Sequence, residues 1–103
     1  MSEKDIFMEV WAERPHFSFL SNRPIKYFAY SNFAHVLPKS KYPKYRLRKE
    51  NIVLLLPEEH YMEHSSSKKV IEEYCKKYLC SWEKIVSLRE ELIAKYNEEF
   101  DTY

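Results

Sequence analysis

Glycine is absent from all 103 residues of this chain. Proteins that bind phosphates through P-loops or Rossmann folds depend on glycine-rich loops, because only a residue without a side chain lets the backbone approach the phosphate closely. The absence of glycine therefore disfavours both classes. The length suits one hydrophobic core, so we expect a single domain over residues 1–103.

The apolar segments of the sequence are short. None approaches the roughly 18 residues that span a bilayer, and residues 1–5 are polar and acidic with no apolar stretch behind them. Neither a signal peptide nor a transit peptide is predicted, and we expect a cytoplasmic protein without a membrane partner. Cys75 and Cys80 are too few to staple a secreted domain. We expect reduced, partly buried thiols on nearly opposite faces of a helix.

Charge is distributed unevenly along the chain. The formal net charge is only +1, but the segment from Arg14 to Lys49 carries nine basic residues and no acid, which makes it +9 and the remainder −8. Clustered Lys and Arg release counterions from phosphate backbones, so this pattern indicates a face that binds a polyanion. Chance segregation of charge on a solvated surface is the alternative.

The pattern of apolar residues predicts helices and short strands. Helices are predicted over residues 2–12, from Pro57 onward, and over 67–79 and 82–96. Ser2 and Asp5 have capping-box spacing, and Pro57 suits a first helical position. Residues 32–37 and 51–56 are predicted strands, and residues 16–33 a hairpin or an extended loop. The predicted fold class is α+β.

Four polar residues could carry chemistry. His60 and His64 are four apart, which stacks two imidazoles on one helix face and suits a metal ion. His35, at the end of the first strand, could act as general base for water, and Asn51 could hold the intervening loop through hydrogen bonds. Hydrolysis of a phosphodiester fits this arrangement. The alternatives are an exposed histidine pair and a hydrogen-bonded core histidine at position 35.

Three segments resemble the HNH, or ββα-metal, nuclease motif: FAHVLPK at 33–39, NIVLLL at 51–56 and HYMEH at 60–64. The resemblance covers residues 32–65 and implies a small HNH-like core with an N-terminal helix before it and two amphipathic helices over about 67–100 after it. It implies that His35 is the general base, Asn51 the loop-fixing asparagine, and His60 and His64 the metal ligands.

The chain departs from the family in two places. The residue before the general base is usually Asp or His and ligates the metal, whereas here it is Ala34, so the metal site lacks a ligand. Many small HNH domains also carry cysteine pairs that bind a structural zinc, and the equivalent residues 18–22 have none. We expect packing of aromatic residues to replace that zinc, through Phe17, Phe19, Tyr27 and Phe28.

These observations favour a catalytically impaired HNH-like protein, without a cofactor, that binds RNA, DNA or a CRISPR guide-RNA effector complex. A short, compact chain of this kind resembles phage-encoded anti-CRISPR inhibitors, which implies the cytoplasm of an infected bacterium and a monomer or small homo-oligomer. One alternative is an active HNH endonuclease with one Mg²⁺ or Zn²⁺ ion, and another is an adaptor that binds protein through its acidic C-terminal helices. The predicted nucleic-acid-binding residues are Arg23, Lys26, Lys39, Lys41, Tyr42, Lys44, Tyr45, Arg46, Arg48 and Lys49.

Overall fold

A short antiparallel sheet between two layers of helix forms the centre of the molecule. The computed structural model describes residues 2–100, except for the side chains of residues 64 and 65. Its helices and strands are α1 (Glu3–Glu13), β1 (Phe33–His35), β2 (Ile52–Leu54), α2 (Pro57–Ser65), α3 (Lys68–Lys77) and α4 (Glu83–Phe100). Three 3-10 turns, Tyr30–Asn32, Pro43–Tyr45 and Lys49–Asn51, connect them. The α+β prediction is confirmed at this level.

The helix signals in the sequence act as expected. Ser2 caps α1, with its side chain accepting from the Asp5 N–H and the Asp5 carboxylate accepting from the Ser2 N–H. Pro57 occupies the first turn of α2, and the Ser67 side chain caps α3. Within residues 2–100, no helix is both long and apolar enough to cross a membrane.

Both faces of the sheet are buried. Phe33 pairs with Leu54, and both contact the buried face of α1, whereas the Ala34–Val53 pair points the opposite way into a core shared with α3 and α4. Successive residues of a strand alternate between faces, so the two pairs separate two cores. Burial on both sides explains the uninterrupted apolar run of β2.

Residues 16–25, which the sequence predicts as part of a hairpin or an extended loop, form a tight turn after α1. Backbone hydrogen bonds from Ser18 to Arg23 and from Ile25 to His16, both 2.8 Å, hold it together. Asn22 sits there at a φ of 61°, a left-handed conformation that asparagine tolerates better than most residues. Asn22 thus supplies a turn geometry for which many chains use glycine.

A buried carboxylate ties this turn to the helices. Glu59 is fully buried and accepts hydrogen bonds from Ser18 Oγ at 2.5 Å, from Ser21 Oγ, from the Tyr74 hydroxyl at 2.6 Å and from the Leu56 N–H at 2.9 Å. Desolvation and the bond to Glu59 raise the pKa of Tyr74. One side chain therefore joins the 18–21 turn, the start of α2 and α3.

The sequence predicts that aromatic packing stabilises this region in place of a zinc ion, but most of the predicted rings are exposed. Phe19 packs against the core of α3 and α4, but Phe17 and Tyr27 are largely exposed. The Glu59 hydrogen bonds provide the main connection instead. A carboxylate with four donors satisfies polar groups that would otherwise be buried without partners.

The cysteines lie closer together than the sequence predicts. Helix α3 ends at Lys77, so Cys80 is not on the helix, and its N–H instead reaches back 2.9 Å to the Cys75 carbonyl. Leu79 adopts a φ of 55° to allow this closure, as in a Schellman ending. Both thiols are free and hydrogen-bond to each other; burial first, then this bond, raises the pKa of Cys80 to about 11.

Candidate functional site

Asn51 closes the long loop between the two strands. Its side chain is fully buried and accepts from the Leu37 N–H at 2.7 Å while donating to the Leu37 and Tyr45 carbonyls, each at 3.2 Å. The Val36 N–H still bonds to the Asn51 backbone at 2.8 Å. Strand pairing ends there because the Asn51 side chain takes the next backbone group. The loop ends are thus fixed beside His35.

His35 lies at the end of β1 with its ring directed toward α1. Its Nε2 lies 3.0 Å from the Arg46 carbonyl, and the ring centroid is 6.0 Å from that of Phe7. A carbonyl oxygen only accepts, so Nε2 carries a proton. The atom of His35 that could accept a proton is therefore Nδ1. The hydrogen bond to Arg46 also fixes the ring relative to the basic loop.

His60 lies on the first turn of α2, across from the 3-10 turn Tyr30–Asn32. Its Nδ1 lies 2.9 Å from the Ser31 carbonyl, which again identifies a protonated nitrogen. The side chain of His64, its predicted partner, lies outside the described residues. The structure therefore places His60 beside the turn that precedes β1 and leaves the proposed histidine pair undescribed.

One open cavity of about 660 Å³ brings His35 and His60 together. Its other walls include the start of the basic loop, Tyr42, Glu63 and one residue that sequence reasoning missed, Arg89. Arg89 donates to the largely buried Glu63 carboxylate at 2.6 Å. The only sequence signal for Arg89 is its place in the apolar stripe of α4, between Ile85 and Leu92.

The described side chains around this cavity do not by themselves form a divalent metal site. Among the described residues, no group of three His, Cys, Asp or Glu side chains is arranged to hold one. Glu59 is engaged in the turn, and Glu63 binds Arg89. Ala34 is buried on the opposite face of β1 from His35. We therefore derive no metal-dependent step.

Much of the basic segment is neutralised within the protein. Arg48 binds both carboxylate oxygens of Glu99, which raises the pKa of Arg48 through the hydrogen bonds and lowers that of Glu99. The other pairs are Lys49 with Glu13 at 2.8 Å and with Glu9 at 3.6 Å, Lys39 with Glu3 at 3.2 Å, and Arg23 with Glu58 at 3.9 Å. Arg14 donates to the Lys49 and Ile52 carbonyls. The +9 segment is thus only partly available to a ligand.

Apart from Arg14, which bonds to backbone carbonyls, four cations of the segment pair with no acid among residues 2–100: Lys26, Lys41, Lys44 and Arg46. Lys44 lies over the Phe100 ring at 5.1 Å. Three of the four belong to the 41–46 stretch beside the cavity, and all four are exposed.

The two tyrosines predicted to stack on bases differ in environment. Tyr42 is half-buried, makes an edge contact with Tyr96 and lines the cavity. Tyr45 is buried, with its ring against Tyr96 and Phe100 and its hydroxyl donating to Glu99 at 3.1 Å. A base cannot reach the Tyr45 ring without opening the core, so Tyr45 belongs to the support of the loop.

Comparison of the chain with protein-family models, curated proteins and solved structures gave no match.

Proposed function

We propose that this protein binds the phosphate backbone of nucleic acid at the cavity between the basic loop and α2, as an HNH-like protein that lacks a complete metal site. The observation that carries the proposal is the shared cavity of His35 and His60, whose rim is formed by Lys39 and Lys41. Exposed lysine ammonium groups are suitable partners for phosphate oxygens.

The exposed cations of the basic loop support binding of phosphates without cleavage. Lys41, Lys44 and Arg46 carry exposed charges with no acid to neutralise them among the described residues. Lys39 pairs with Glu3 only on the surface, where such a pair contributes little and a phosphate can displace it. Ala34 stands where HNH nucleases carry a metal ligand, and this departure favours binding over metal-dependent cleavage.

A salt titration of DNA binding tests the proposal. Three unpaired cations of the basic loop should give a log-log slope of about −2.7 on duplex DNA, measured by fluorescence anisotropy. The double substitution Lys41→Ala with Arg46→Ala should reduce the magnitude of that slope by about 1.8. Lys68→Ala with Lys69→Ala, on exposed positions of α3, is the matched control. A flat salt dependence overturns the proposal.

An active endonuclease is the second candidate, and the observation favouring it is that Asn51 holds the loop end beside His35. Supercoiled plasmid and single strands would be incubated separately with Mg²⁺, Mn²⁺, Ni²⁺ and Zn²⁺. Cleavage that disappears in His35→Ala would replace the binding proposal with the enzyme. Intact substrate with all four ions supports binding alone.

The narrower form of the proposal is inhibition of a guide-RNA effector. The guide backbone offers the same phosphate chemistry as free nucleic acid. Adding the protein to a Cas9–guide RNA complex before target DNA should reduce cleavage, and Lys41→Ala with Arg46→Ala should restore it. Inhibition that survives this substitution but is lost on reversing exposed α4 charges, such as Glu91→Lys, would identify a protein adaptor instead.

A further inference from the structure

A row of aromatic rings leads away from the cavity between α1 and residues 28–30. Successive ring centroids are separated by 6.0, 5.8, 6.0, 5.9 and 3.5 Å in the order His35, Phe7, Tyr30, Phe28, Trp11 and His16. Phe7 is buried, whereas the rings beyond it reach the surface. We call Tyr30, Phe28, Trp11 and His16 the aromatic track.

The track exposes more aromatic surface than the core requires. Tyr30 is 56% exposed and Phe28 39%, and the neighbouring Tyr27 is exposed more than either. His16 stacks on Trp11 with an interplanar angle of 16° and turns its outer face to solvent. Single exposed apolar side chains are normal on a protein surface, but adjacent exposed rings form a contiguous patch, and such patches mark interaction surfaces.

Positive charge borders the track. Lys26 directly precedes Tyr27, and Lys4 shares one edge of α1 with Met8 and Trp11 by helical spacing. Neither lysine pairs with an acid in the described part of the chain. The acids of α1 that form ion pairs do so with the basic loop, through Lys39 and Lys49. Lys4 and Lys26 therefore supply two unpaired positive charges beside the track.

Exposed rings beside unpaired cations suit one class of ligand. Unpaired bases stack on aromatic side chains while their phosphates contact lysines, and stacking contributes about 1–3 kcal/mol per base. In duplex DNA the base faces are hidden, so such a duplex can use the lysines alone. Continuity with His35 also places the track at the end of the cavity proposed above for the backbone.

We propose that the aromatic track binds the bases of single-stranded nucleic acid whose backbone continues into the cavity at His35. The proposal rests on the nucleic-acid binding proposed above and adds the strandedness of the ligand. It requires the protein to prefer single strands to duplex, and it requires that preference to depend on the bases and not on additional phosphate contacts.

The experiment compares an oligonucleotide of about 12 nucleotides, within the range of such platforms, as a single strand, a duplex and an abasic strand. We expect the single strand to bind at least about 10-fold more tightly than the abasic strand, which keeps the phosphates and loses the bases. The abasic probe leaves the protein unchanged, so a folding defect cannot imitate this result.

Substitutions then locate the effect. Phe28→Ala with Tyr30→Ala should lower single-strand affinity at least about 10-fold while leaving the salt slope and duplex binding unchanged, because no phosphate contact is removed. Phe17→Ala is the matched control, since Phe17 is 48% exposed and lines a different cavity. Quenching of Trp11 fluorescence by the strand, in a Trp82→Phe background, reports stacking directly.

The outcomes separate the two proposals. Equal affinity for the abasic and ordinary strands overturns the aromatic track as a base-binding surface, and a normal duplex salt slope in the same experiment leaves backbone binding intact. A partner protein on the track would produce that same equality. Absence of binding to every probe overturns both proposals.

Discussion

Substitution of Glu59 should cost more stability than substitution of any neighbouring acid. Glu59→Ala leaves the Leu56 N–H and the Ser18 hydroxyl inside the protein without their shared acceptor. Each buried donor left without an acceptor costs about 1–3 kcal/mol, and the lost side chain also leaves a cavity, so we expect Glu59→Ala to cost about 3–5 kcal/mol in all. For a domain of this size, each kcal/mol shifts the melting temperature by roughly 4–8 °C, so we expect a drop of at least about 12 °C.

Urea denaturation followed by circular dichroism measures this change. Glu58→Ala is the matched control, because Glu58 adjoins Glu59 on α2 but is exposed and has only a 3.9 Å pair with Arg23; it should cost less than about 0.5 kcal/mol. Glu59→Gln keeps the shape and lets the Ser21 and Tyr74 hydroxyls turn to accept, so about 1–3 kcal/mol is expected. Equal losses for Glu58→Ala and Glu59→Ala would refute the assigned role of the buried carboxylate.

Three other substitutions and titrations follow from the fold. Leu79→Gly should stabilise the protein by about 0.5–1 kcal/mol in urea denaturation, because the side chain is 94% exposed and its left-handed backbone costs energy for any residue with a Cβ; a loss would contradict this account. Cys80, with its pKa raised to about 11, should react with a thiol reagent far more slowly at pH 8 in the folded than in the unfolded protein, with the rate rising as pH approaches 11. The Cys75→Ala variant isolates that signal, and equal folded and unfolded rates would contradict it. Glu99→Gln should free Arg48 and steepen the duplex salt slope by about 0.9, whereas an unchanged slope would show that Arg48 does not reach the ligand.

Local signals in the sequence predict most of the secondary structure. The capping box of Ser2, the position of Pro57 and the uninterrupted apolar run of β2 each depend on neighbours within a few residues. The predicted first strand is too long because the Asn51 side chain takes the Leu37 N–H that a continuing ladder would use. The Asn51 side chain and the Leu37 N–H are 14 residues apart, so the periodicity of apolar residues cannot predict this hydrogen bond.

Contacts over long separations explain what the sequence did not reveal. Glu59 resembles any acid in the first turn of a helix, and only its hydrogen bond to Ser18, 41 positions earlier, accounts for its burial. The run from Arg14 to Lys49 predicts a free basic face. In the structure, however, Arg48 of this run binds Glu99, 51 positions later. The resemblance to HNH nucleases predicts loop fixation by Asn51, but the metal-ligand roles of His60 and His64 stay predictions.

The ion pairs that α1 and α4 make with the basic loop would compete with the phosphate backbone that we propose as the ligand. Glu13 and Glu99 are tethered beside Lys49 and Arg48, so their local concentration stays constant however dilute the protein becomes. A phosphate that displaces one of these carboxylates exchanges one anion for another and releases few counterions. Affinity could therefore be adjusted from helices that never touch the ligand, by gaining or losing a single acid.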